Sequence, residues 1–410
     1  MNIKLDSILA FVLIVPFIMT VRIWHQDTPY WLFALIFSGL LLCVVLDLSK
    51  LKDKVYQTAK NITIWSLMLG VILSSFGASI IVRHQTHPIY QVHDILVQQE
   101  VALRYLLDGK NPYSENYFGT VLEDWHYSDT EENPALYHFV MEPFYLLFAL
   151  PFSVLSGTIL GYFDGRIPLV FLLLISLLIG FKLVKDGEKR RAFILLLGFN
   201  PLMILYTLEG RSDFFMFGFL ITGFYFLYKQ KIILSAILIG LSFAVKQSVW
   251  PLLPLYIAYL WFVKKNKQIF FRSVAVFTLV FASIVLPFLL WDPKAFLEST
   301  IFYLSGNASN SYPISGYGFG MLLNQFGFIK NLKDPFPFII PQIIVGLPLL
   351  FYLLRFLKNN PSTKNLILTY GIFLFVFWYF SRYFNNSHIV YLSIVFATAY
   401  FWPNKETNAS

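Results

Sequence analysis

The chain has 410 residues, of which 57% are apolar and 13% charged, whereas a soluble domain carries about 25% charged residues. That composition excludes an ordinary water-soluble enzyme. The net charge of +8 is dispersed over short basic turns, so no nucleic-acid partner is expected, and the single cysteine, Cys43, excludes a disulfide within the chain.

A bilayer is crossed by about 20 apolar residues, and apolar runs occur near 8–24, 30–46, 62–82, 143–160, 167–183, 193–208, 214–228, 232–249, 250–263, 271–290, 336–354, 366–380 and 388–402. Lys4 precedes the first run and no small-residue cleavage site follows it, which predicts a retained helix and not a removed signal peptide. Trp24, Tyr30, Trp31, Trp261, Trp291 and Trp402 stand where runs meet polar loops, as interfacial belts require.

The run 143–160 contains Pro143 and Pro151 and ends in Gly157 and Gly161. If it lies on the outer surface and the other twelve runs span, 20 of the 31 Lys and Arg, from Lys4 to Lys405, fall inside and 11 outside. If it spans, the split becomes 12 inside against 19 outside. The positive-inside rule selects the twelve-span arrangement, with both termini cytoplasmic. Of the 23 acids, only Asp6, Asp47, Asp53, Asp186, Glu188 and Glu406 then face inward. The expected fold is an all-α polytopic membrane protein of about 12 transmembrane helices, forming one integral-membrane domain over 1–410. A large first extracytoplasmic loop spans 83–166 and carries outer-surface helices. A second spans 291–335.

In the first loop, apolar residues at 97, 101 and 105, and again at 96, 103 and 107, have helical spacing from Asp94 to Asp108, and Gly109 ends that helix. Asn111-Pro112 is a turn, and an acidic stretch with His126 follows at 123–132. Its spacing matches no metal motif, so a solvated loop is the simpler reading. The run GYGFG (316–320) reads as an irregular loop dipping toward the membrane, not a phosphate cradle.

Three constellations could carry chemistry. In HDILVQQE (93–100) Asp94 opens a helix just beyond a span. It is either a helix N-cap, with Val97 breaking a capping box, or a surface carboxylate placed to take a proton from a hydroxyl. In EGRSD (209–213), two acids and an arginine exceed what a five-residue turn needs, although a solvated turn also accounts for them. In FAVKQSVWPLLP (243–254) Lys246 sits at the end of an apolar helix. Snorkelling explains many such lysines, yet an ionisable group at membrane depth is a functional candidate. The same holds for Arg382 and His388 in SRYFNNSH (381–388), which with Lys246 offer cations to a lipid phosphate.

The order of these elements resembles the GT-C superfamily of integral-membrane glycosyltransferases that use polyprenyl-phosphate sugars. The resemblance runs from about residue 75 to 263, with further elements to 390. It rests on Asp94 just after a span, a helix closing on GKNPY (109–113), a surface helix before the next span, GFNPL (198–202) with EGRSD, and Gly240–Lys246 as G-L-x-x-x-x-K. Within the superfamily it is most similar to the mannosyltransferase branch with GxNPY in the first large loop. It departs in NPALYHFVMEPF (133–144), where the family often has Tyr-Pro-Pro, and in two additional N-terminal spans.

The resemblance implies transfer of a sugar, mannose in that branch, from a polyprenyl-phosphate donor to a hydroxyl of a glycan, lipid or protein acceptor, on the outer side of the cell (inner) membrane and with inversion. Asp94 would be the base. Lys246, Arg382 and Arg211 would meet the donor phosphate, Glu209 and Asp213 would serve the acceptor or a metal, and His93, Glu100, Arg104 and His388 would be secondary candidates, as would Arg83. Membrane lipids are partners. No cofactor is assigned, and a divalent cation is the one candidate. The alternatives are a transporter or lipid flippase, which the in-span prolines Pro201, Pro287 and Pro348 would suit, and a non-catalytic subunit of envelope polysaccharide assembly.

Overall fold

The computed structural model describes residues 2–21, 29–126, 132–263 and 266–404. Trp24, Asp129, Glu131, Lys264, Lys265, Lys405 and Glu406, which entered the sequence arguments, lie outside the described residues.

The described residues are mostly helical. An N-terminal hairpin, Leu5–Val21 (α1) and Tyr30–Leu48 (α2), precedes the long Asp53–Gln85 (α3). Asp94–Leu107 (α4) and Phe144–Leu160 (α5) come next. Arg166–Leu183 (α6), Gly187–Gly198 (α7), Met203–Leu208 (α8), Asp213–Tyr228 (α9), Ile232–Phe243 (α10), Leu253–Val263 (α11) and Lys267–Trp291 (α12) follow. Pro293–Leu297 (α13) continues through a π turn into Tyr303–Ser305 (α14), and Phe319–Gln325 (α15), Ile339–Asn359 (α16), Thr363–Tyr379 (α17) and Asn386–Phe401 (α18) complete the chain. Five described helices, α2, α3, α6, α12 and α16, are long and apolar enough to cross a bilayer on that basis alone, and the polytopic all-α membrane architecture is plain. Leu35, Leu279, Leu290, Ile344 and Phe351 stand exposed on them, as side chains do when the solvent is lipid.

Two expected runs are broken. Run 193–208 divides into α7 and α8 at Asn200-Pro201, where proline supplies no N–H and the Asn200 side chain accepts from Met203 N at 3.3 Å. Run 232–249 ends as a helix at Phe243, and a 3-10 turn, Gln247–Leu252, leads into α11. Lys246 therefore lies beyond its helix, in extended backbone (φ −157, ψ 135).

Buried ion pairs hold the two ends of the bundle. At one end Lys60 on α3 meets Asp47 at the end of α2 (2.5 Å), and Arg191 on α7 meets Asp6 on α1 (2.5 Å), all fully buried. At the other end Arg83 of α3 forks onto both Glu100 oxygens (2.7 Å each) and reaches Asp164 (2.9 Å), which also binds Arg166. Charges out of water are tolerated only when paired in this way.

The start of α5 and the chain that follows it are tied at this second end. Phe144 N donates to Ala244 O (2.9 Å) beside Lys246, and beyond its C-terminus Gly165 N donates to Glu100 (3.1 Å). Both of these ties lie at the end of the bundle that holds Arg83 and Lys246.

Three local expectations need correction. The N-cap position of α4 is held by His93, and Asp94 is the first helical residue. Trp402 is buried against Phe224 and Tyr228, so it is no interfacial anchor, whereas Tyr30, Trp31, Trp261 and Trp291 are exposed. Finally, GYGFG is more ordered than an irregular loop. Ser315–Gly316 (β1) pairs in parallel with Tyr383–Phe384 (β2), and α15 begins at Phe319.

Candidate active site

A cavity of about 910 Å³ opens at the end of the bundle that holds Arg83 and Lys246. Its walls come from the start of α4, the α8–α9 turn, the α10–α11 break, the second large loop, the start of α16 and the α17–α18 hinge. Asp94, Arg211, Asp213, Lys246, Arg382, His93 and His388, spread over nearly three hundred positions of sequence, all line it.

Asp94 is held from both sides. His93 Nδ1 lies 2.5 Å from its Oδ1, and Asn133 Nδ2 donates to Oδ2 at 3.2 Å. Burial works against the charged form, but the His93 imidazole and the Asn133 amide prevail and hold the carboxyl below its usual range. The start of α4 is fixed by His93 N donating to Glu209 O (2.8 Å) and by Trp125 Nε1 donating to Val92 O (2.9 Å).

Opposite charges also meet where α9 begins. Lys246 Nζ donates to Asp213 Oδ1 (3.0 Å) and Ser212 Oγ (3.2 Å). An ammonium has three donors, so one remains for an anion in the cavity. Extended backbone at Lys246 makes this reach available, and the next residue, Gln247, anchors the break by donating to Val140 O (2.9 Å) and Thr300 O (3.2 Å).

Arg382 lines the cavity, but its guanidinium is spent on backbone. It donates to the carbonyls of Tyr312 (2.5 Å), Asp334 (2.9 Å), Lys333 (3.2 Å) and Leu332 (3.3 Å). A Cβ at Gly306 would collide with it. Arg382 therefore ties the second large loop down over the cavity. His388, in the first turn of α18, accepts from Asn385 N (3.1 Å) and lies edge-on to Trp378.

The remaining candidates are elsewhere. Glu209 pairs with Arg211 (2.9 Å) and faces a second, smaller cavity, while Asp213 faces the main one. Positive φ at Gly210 (86°), where Leu96 leaves no room for a Cβ, turns the chain between them. The two acids thus do not converge on a cation, and no group of three or more potential metal ligands occurs among the described residues. Glu100 and Arg83 are joined in the ion pair that fixes α3 to α4, and Arg104 is exposed on α4 away from the cavity.

Sequence reasoning missed several residues. Asn133 and Trp125 position Asp94, Gln247 sets the break, and Glu142 is buried with neither carboxylate oxygen hydrogen-bonded. Burial, against a nearby Gln247 amide, pushes its carboxyl up to about 8. The Asn-Pro pair at 133–134 was a visible turn signal, and nothing local marks the others.

The arrangement offers a carboxylate proton acceptor, a partly engaged ammonium and an apolar wall that includes Phe336, Ile339, Phe377 and Trp378. No curated protein and no solved structure matches the chain. Residues 139–381 match Glycosyltransferase family 87, a stretch that includes Glu142, Arg211, Asp213 and Lys246, with Asp94 before it and Arg382 just after. This favours an enzyme over a transporter or flippase, and since the match spans more than half of the sequence, the chain belongs to glycosyltransferase family 87, a GT-C-type family of membrane glycosyltransferases.

Proposed function

We propose that the protein transfers a hexose, mannose being the first to test, from a polyprenyl phosphate to an acceptor hydroxyl on the extracytoplasmic face of the cell membrane. The observation that supports this reading is the main cavity, which combines Asp94, the Lys246–Asp213 pair and an apolar wall in one space.

In this reading the acceptor O–H gives its proton to Asp94 as its oxygen attacks the anomeric carbon. The bond from that carbon to the phosphate oxygen breaks, and polyprenyl phosphate leaves. A phosphate is a competent leaving group, so one carboxylate suffices and the configuration inverts. Lys246, holding a donor toward the cavity, meets the charge that builds on the phosphate. The apolar wall takes the first isoprene units. Arg382 acts indirectly, by keeping the second large loop in place.

The test is incubation of the purified protein with labelled polyprenyl-phosphate mannose, glucose and galactose and a membrane-glycan extract as acceptor. Labelled glycan with the inverted linkage is expected. Turnover of nucleotide sugars and not of lipid-linked ones would overturn the donor assignment.

A further inference from the structure

We infer that the second cavity is the docking site for the saccharide end of the acceptor. This rests on the glycosyl-transfer reading of Asp94, and concerns a space that reading does not use.

The cavity has a volume of about 550 Å³, within the range of small-molecule sites. His93, Trp125 and Arg211 line both cavities and so form their common wall. The His93 imidazole touches Asp94. A hydroxyl that enters from the second cavity and passes His93 therefore meets the carboxylate, while the lipid-linked donor occupies the main cavity.

The chemistry of the lining suits a sugar ring. A pyranose presents C–H bonds on its faces and hydroxyls around its rim. Trp125, with its N–H fixed on Val92 O, offers a held aromatic surface for the face. Glu209 accepts from hydroxyls, and Arg211 and the exposed Gln91 donate to them. Glu209 and Arg211 cancel each other's charge at 2.9 Å, and Arg211 is further held over the Tyr206 ring. An uncharged ring fits such a site better than a phosphate does. Thr20 and Val21 of α1 close one side. They lie in the N-terminal hairpin, outside the stretch 139–381 that matches the family, so the acceptor side is shaped in part by residues that the match does not include.

The experiment uses Thr20→Trp, which fills the second cavity from α1, and Glu209→Gln, which removes its acceptor charge. Neither residue lines the main cavity. Saturation-transfer NMR in lipid nanodiscs would follow methyl and octyl glycosides of mannose, glucose and galactose. The expected result is binding of at least one sugar by the unmodified protein, weakened about tenfold or more in both variants. In transfer assays of Thr20→Trp the acceptor KM should rise by a similar factor with the donor KM unchanged. Binding of the octyl but not the methyl form identifies a lipid-anchored acceptor, and equal binding identifies recognition of the ring alone. Undiminished binding in both variants, or no binding by the unmodified protein, overturns the inference. If lipid-linked sugars give no turnover while saccharide binding is still lost in the variants, the donor reading fails and the site stands.

Discussion

Asp94→Asn alters one atom of the carboxylate and leaves the shape of the side chain. A positioned general base contributes about 10²–10⁴-fold, which corresponds to about 2.7–5.5 kcal/mol of barrier. The structural cost is much smaller. Asp94 is the first helical residue and not the N-cap of α4, so what is lost is the attraction between a partly exposed imidazole and the carboxylate, worth about 1 kcal/mol. A loss of that size scarcely changes the folded fraction of a protein stable by about 5–15 kcal/mol. The assay is sugar transfer in detergent, normalised to folded protein by gel filtration. The pH dependence adds a second readout. Because the Asp94 carboxyl is held below its usual range, the stability from its ionisation is present above the unfolded carboxylate value and is lost as pH falls through the folded one. The base form is then complete at neutral pH, and the acid limb of kcat/KM lies below the ordinary carboxylate range. Transfer within threefold of normal by Asp94→Asn would refute the assignment, and Asp213, the other carboxylate lining the cavity, would become the residue to test.

Cysteine introduced at Asp186 should label only from inside and at Asp292 only from outside, with native Cys43 buried and silent; the reverse pattern would overturn the twelve-span arrangement. Lys246→Ala should raise the donor KM about tenfold or more, since one charge-assisted contact is lost, whereas an unchanged donor KM would remove Lys246 from phosphate binding. Arg382→Ala should expose the segment 306–338 to protease, because four backbone carbonyls lose their clamp; protection equal to the unmodified protein with only the donor KM changed would point to direct phosphate contact. Glu142 titrates at about 8 in the folded chain against 4.5 as its ordinary value, so its contribution to stability is full below about pH 4.5 and is lost as pH rises through 8. Glu142→Gln should abolish that part of the alkaline loss of thermal stability, and identical melting profiles at pH 5 and 9 in the two proteins would refute it.

The helical membrane architecture was legible because hydrophobic runs and turn residues are local. The end of α4 is an example: Leu107 closes the helix and Gly109 turns with φ of +74 as the sequence led one to expect. Its N-cap lies one residue earlier than sequence preference indicates, at His93, whose ring is engaged by the Asp94 carboxylate. The broken helix after Phe243 was missed because Pro251 and Pro254 lie downstream of the break. The backbone leaves the helix earlier, where Gln247 finds carbonyls on two distant segments.

The sequence by itself determined the class of the protein and which segments carry its polar chemistry. The length of apolar runs and the sidedness of charge are properties of neighbours along the chain. Only the tertiary structure decided what those groups do to one another. It gave Asp213 to Lys246 and Glu209 to Arg211, sent two acids four residues apart into different cavities, and set Arg382 on carbonyls some fifty to seventy residues away. The physical reason is reach. A charged side chain takes whichever partner lies within about 3 Å once the helices are packed, and in a low-dielectric interior that choice fixes its role.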